Sequence, residues 1–117
     1  MNIELLNEDE LPDGFTYPNA LCKIVELGLV NLDVWYFMTK EQVIVRQKGL
    51  KERYPNRRLL PFARRGDNDD IACFEIGQGE KVFVIHDFAS SGYEQRQIFN
   101  CVWDWFKYAI DIMINYE

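Results

Sequence analysis

Histidine is almost missing from this chain. His86 is the only one in 117 residues, so any Ser-His-Asp or Cys-His device must use it. Cysteine is sparse and scattered. Cys22, Cys73 and Cys101 are odd in number and include no CxxC or Cys/His pair, which argues against a structural zinc site. Each sits among apolar neighbours and reads as a buried, reduced thiol. Long hydrophobic runs are missing too. The longest, Val34 to Met38 and Val82 to Ile85, fall far short of the roughly 20 residues that span a bilayer. Met1 is followed by acidic residues rather than a basic segment and an apolar run. No signal peptide is visible, and a cytoplasmic protein is expected. No phosphate loop is present either. Gly77-Gln78-Gly79 lacks the Gly-Lys-Ser/Thr ending and joins two strand-like runs.

Hydrophobic residues make up 48% of the chain and aromatics 15%, enough to build a core, so disorder is excluded and one domain over residues 1–117 is expected. The net charge of −6 is unevenly spread. Residues 1–39 carry one Lys and seven acids, residues 40–65 nine bases and two acids, and residues 66–117 three bases and ten acids. An acidic total argues against nucleic acid as a partner and fits attraction of a basic one.

The organising stretch is Leu59 to Phe88. Leu59–Ala63, Ile71–Ile76 and Lys81–His86 read as β-segments, the last two joined by a Gly-containing turn that signals a hairpin. Their apolar character on both faces calls for helices as cover. Pro18 opens a helix over Asn19 to Leu27, with Gly28 at its stop. Leu32 to Met38 is dense in aromatics and fits either a strand or a buried connector. Thr39-Lys40-Glu41-Gln42 is a capping box, and a helix with an exposed basic side runs from it to Pro55. Gly49 inside it is a weak point of about 1 kcal/mol against Ala. The last helix is expected from about Tyr93 to Asn115. Ile98, Cys101, Val102, Trp105, Phe106, Ala109, Ile110 and Met113 recur there at spacings of three and four.

Candidate chemistry is thin. His86 stands beside Asp87, which could orient its ring, but no nucleophile turn such as G-x-S-x-G accompanies it, and a structural His is the preferred reading. Asp67-Asn68-Asp69-Asp70 opens like a calcium loop. The sixth position is then Ala72 rather than Gly, and the twelfth is Gln78 rather than Glu, so a polar turn is expected. No metal and no cofactor are expected.

The order of motifs resembles the SMI1/KNR4 family, also called the SUKH superfamily. The resemblance rests on Leu60-Pro61-Phe62-Ala63, Gly66-Asp67, Asp70 to Glu75, the run Val82 with Val84 to Asp87, and the aromatic helix with Phe99 and Trp103 to Phe106. It covers roughly residues 11 to 113. Phe74-Glu75 stands where the family has Phe-Asp. The resemblance implies an α+β fold: a central antiparallel meander flanked by helices, with a long C-terminal helix packed on the sheet. It also implies a non-enzymatic binding role. Many bacterial members are immunity proteins that neutralise toxins, often nucleases, whereas fungal members are regulatory interaction modules. An acidic surface would steer toward and occlude a basic toxin domain. The expected surface comprises Asp67, Asp69, Asp70, Asp87 and Glu94, with Trp35 or Trp103 as apolar anchors. The alternative is a cytosolic regulatory or scaffold module. Monomer and homodimer are both open.

Overall fold

The computed structural model describes residues 3–116. The apolar stretch forms its middle: strands β2 (Leu59–Arg65), β3 (Asp70–Glu75) and β4 (Val82–His86) lie side by side. Strand β1 (Trp35–Phe37) is added outside β2 and β5 (Gln95–Phe99) outside β4, so the order is β1-β2-β3-β4-β5. All four pairings are antiparallel, which makes the sheet a meander. With helices α1 (Asn19–Glu26), α2 (Lys40–Arg53) and α3 (Val102–Asn115), this is an α+β fold. Among the described residues no helix is long and apolar enough to cross a membrane.

Local chemistry explains the element ends. The β2–β3 register shifts between Pro61 and Ala63, leaving Phe62 as a bulge whose carbonyl accepts from Met38 N at 2.9 Å. A bulge is one of the few places a sheet tolerates Pro, which has no N–H to donate. The capping box of α2 forms as expected: Thr39 Oγ1 accepts from Gln42 N, and Gln42 Oε1 accepts from Thr39 N. Helix α1 ends in a Schellman turn, with Leu29 N donating to Ile24 O and Gly28 N to Val25 O. Gly28 stands there at φ +73°, a conformation that costs Gly nothing.

The two faces of the sheet are covered differently. On one, Trp105 of α3 packs edge-on against Trp35, Phe37 and Phe62 at 5.5, 5.7 and 5.0 Å between ring centroids. Phe62 stacks on Phe74 at 4.8 Å. On the other lies α2, which buries Val43 and Leu50, with Tyr54 buried at its C-cap.

Two expectations are corrected. The segment from Tyr93 is not helical at its start. Gln95–Phe99 is edge strand β5, and α3 begins only at Val102. Pairing with β4 supplies hydrogen bonds and overrides the helical spacing of Ile98 and Cys101. The basic side of α2 is only partly exposed. Lys48 and Lys51 face solvent, whereas Arg46 and Arg53, with Arg57 just past the helix, turn inward onto acids.

Candidate functional site

The inward arginines build a buried ion-pair frame at the end of β4. Asp87 follows the last residue of β4, and its side chain is 0% exposed. Arg53 grips it in a fork, Nε to Oδ1 and Nη2 to Oδ2, both at 2.7 Å. Arg46 Nη1 adds a third bond to Oδ2 at 3.1 Å, and Phe88 N donates to Oδ1 at 2.8 Å. A buried carboxylate needs this many donors, because an unpaired one would cost several kcal/mol in lost hydration. Arg46 and Arg53 reach it together because they are seven residues apart, two helical turns, on one face of α2.

Gly49 belongs to the same arrangement. A Cβ built there would lie 2.8 Å from Arg53 Nη1 and Nη2. The glycine is the space in which the guanidinium reaches Asp87.

Arg57 serves a second pair of acids. Its Nε and Nη2 fork onto Glu75 at 3.0 and 2.8 Å, Nη1 donates to Glu94 at 3.0 Å, and Nη2 also reaches Gln95 Oε1. Burial raises the Glu94 carboxyl, but bonds from backbone N–H groups and Arg57 outweigh it and hold the group below its ordinary value. The hydrogen bonds to Glu75 hold the Arg57 guanidinium above its ordinary value.

This frame pins the loop between β4 and β5. Tyr54 Oη donates to Ala89 O at 2.7 Å, Gly92 N donates to Glu94 Oε1 at 2.7 Å, and His86 N donates to Glu94 O at 2.7 Å. On top of it stands Phe88, at φ +69° and 61% exposed, with the Arg53 guanidinium 4.2 Å from its ring centroid. A bulky side chain in the left-handed region is an outlier costing roughly 1–2 kcal/mol, and here the Asp87 network imposes it. Tyr93, at the other end of the loop, is also exposed.

The β2–β3 turn lies against this loop: Asp87 N donates to Asp69 O at 3.1 Å. Asp69 is exposed. Asp67 is gripped in a fork by Arg65 at 2.8 and 2.8 Å, and that hydrogen bonding holds its carboxyl below the ordinary value. Asp70 faces His86 across the β3–β4 ladder, Oδ1 to Nδ1 at 2.8 Å. The imidazole is therefore oriented by Asp70 and not by its neighbour Asp87, whose carboxylate is held on the arginines. Asn68 Oδ1 accepts from Asp70 N, closing a polar turn. Among the described residues no cluster of His, Cys, Asp and Glu is arranged to hold a metal ion.

The seven expected surface residues therefore divide. Asp67, Asp69 and Asp70 come together at one end of the sheet. Asp87 and Glu94 lie beside them but are buried, so they support the surface and do not form it. Trp35 is removed from it altogether: it packs on Trp105 in the core and is 0% exposed. Trp103 is 40% exposed but stands in the first turn of α3, just past the far end of β5, remote from the acidic turn. Sequence reasoning missed Phe88. No pattern marks a left-handed residue, although a Phe two residues past the end of a strand, at the start of a Ser- and Gly-containing loop, is an available signal of an exposed aromatic.

No protein-family model, curated protein or solved structure matches this chain.

Proposed function

We propose that this chain is a non-catalytic binding protein that neutralises a basic toxin domain by occluding it, as the resemblance to the SUKH superfamily implies. The contact surface is the end of the sheet where the β2–β3 turn meets the β4–β5 loop. Asp67, Asp69 and Asp70 supply negative charge, and Phe88 supplies the apolar anchor.

The observation that carries this reading is Phe88, an exposed aromatic held in a strained conformation by a buried carboxylate and stacked on Arg53. Binding hot spots favour large, rigid side chains whose ordering cost is already met before the partner arrives. The support beneath it, two forks of Arg onto carboxylate, is stiffer than a free loop. Of the three acids, Asp69 has no ion pair among the described residues, and it has the most to gain from a basic partner.

The test is a binding measurement against the partner with two variants. Asp69→Lys is expected to slow association several-fold at low salt, with the difference shrinking as salt screens it. Phe88→Ser is expected to speed dissociation at least tenfold, a loss of about 1.4 kcal/mol or more. Unchanged kinetics in both variants would remove this surface from the account.

A further inference from the structure

The two edges of the sheet are treated differently. Outside β1 the chain returns and closes the edge: Phe37 N donates to Val30 O at 2.9 Å, Leu32 N donates to Trp35 O at 2.8 Å, and Asn31 bridges to Tyr36. Outside β5 no strand or backbone segment pairs among the described residues. An open edge presents a row of free N–H and C=O groups, and proteins that stay apart guard it along its length with charges such as Lys, with Pro, with bulges or with a covering segment, whereas on β5 the bulge and the one charge coincide at Arg96 and leave Gln97–Phe99 without either. Strand β5 has neither Lys nor Pro. Its one charge, Arg96, is the extra residue at the β4–β5 bulge and leans toward Asp70, with Nε 3.8 Å from Oδ1. Ile98, the next-to-last residue of the strand, is 55% exposed.

We propose that β5 pairs with β5 of a second copy of this chain, antiparallel across a two-fold axis, joining the two five-stranded sheets into one. Three observations favour a second copy over the basic partner proposed above. First, residues 95–102 contain no acid, so a basic partner meets only Arg96 here. Second, the same acid-free run lets two copies of a chain of net charge −6 meet without opposing carboxylates. Third, an antiparallel edge is self-complementary. A two-fold axis at Ile98 sets it opposite the second copy's Ile98, an apolar cross-strand pair, and sets Arg96 opposite the second copy's Asn100, which keeps the two guanidiniums apart. This pairing is independent of the toxin-binding surface, which lies at the sheet end and on the β4–β5 loop.

Sedimentation equilibrium of the whole chain from micromolar to millimolar concentration tests it. The expected result is a reversible dimer whose association weakens at least tenfold in Ile98→Lys, with the circular dichroism spectrum unchanged because Ile98 is exposed. Hydrogen exchange is the second measurement: the outward-facing amide of Ile98 is expected to slow as wild-type concentration rises, while those of Gln97 and Phe99, which face β4, stay unchanged. A wild-type chain that stays monomeric throughout, or a dimer indifferent to Ile98→Lys with no concentration-dependent protection in β5, would overturn the pairing.

Discussion

Replacing Asp87 by Ala tests the ion-pair frame. The substitution removes a fully buried carboxylate and leaves two arginines without their partner. Breaking a buried pair from one side typically costs about 3–5 kcal/mol. The Arg46 and Arg53 side chains are each 28% exposed, so both can recover some hydration by swinging outward, which lowers the expectation to about 3 kcal/mol. With a urea m-value of about 1.5 kcal/mol/M for a domain of this size, the midpoint falls by about 2 M. Arg53→Met tests the pair from the other side, since it leaves Asp87 held by Arg46 alone. The double variant then closes a cycle, and the expected coupling is about 2 kcal/mol, because Arg53 makes two of the three side-chain bonds to Asp87. Urea melts of the four proteins supply every term. A loss below about 1 kcal/mol for Asp87→Ala, or a coupling near zero, would refute the view that this carboxylate organises the loop.

Two further outcomes follow from the same geometry. Gly49→Ala improves helix propensity by about 1 kcal/mol, yet its methyl would displace the Arg53 guanidinium, so the net change is expected to be destabilising; in an Arg53→Met background the same substitution stabilises. The Glu94 carboxyl is held below its ordinary value in the folded chain, so the stability it contributes is present above about pH 4.5 and lost as the pH falls through the depressed folded value. Urea melts from pH 7 to pH 3 are expected to show a shallower acid limb for Glu94→Gln than for wild type.

Much of the fold was legible because local and long-range preferences agree. The Thr39 capping box, the stop at Gly28 and the Gly77–Gly79 hairpin turn each carry their own chemistry. The start of the last helix was misread for the opposite reason. No Gly or Pro breaks residues 93–101, and Ile98 and Cys101 continue the helical spacing, so only pairing with β4 reveals a strand. The site was legible in part. The acids of the β2–β3 turn are adjacent in sequence and stay adjacent in space. Asp87 and Glu94 were expected at the surface because acids are rarely buried unpaired. Their partners lie 34 and 37 residues away, at Arg53 and Arg57. One trace of the arrangement was readable: a glycine one turn before Arg53 in an otherwise ordinary helix marks a place where a side chain is unwelcome. Trp35 was misplaced because the Val34–Met38 run was left open between strand and connector. As a strand, its period of two puts Trp35 and Phe37 on the same, buried face.

The central claim is that the chain neutralises a basic toxin through the Phe88 surface. The most direct measurement is growth of cells expressing the protein encoded by the gene adjacent to this chain's own, whichever it is, alone and together with the chain. The account predicts arrest when the neighbour is expressed alone, rescue by the wild-type chain, and no rescue by a soluble, folded chain carrying both Asp69→Lys and Phe88→Ser. Rescue by that double variant would contradict the assigned surface, and a neighbour that is harmless on its own would contradict the function.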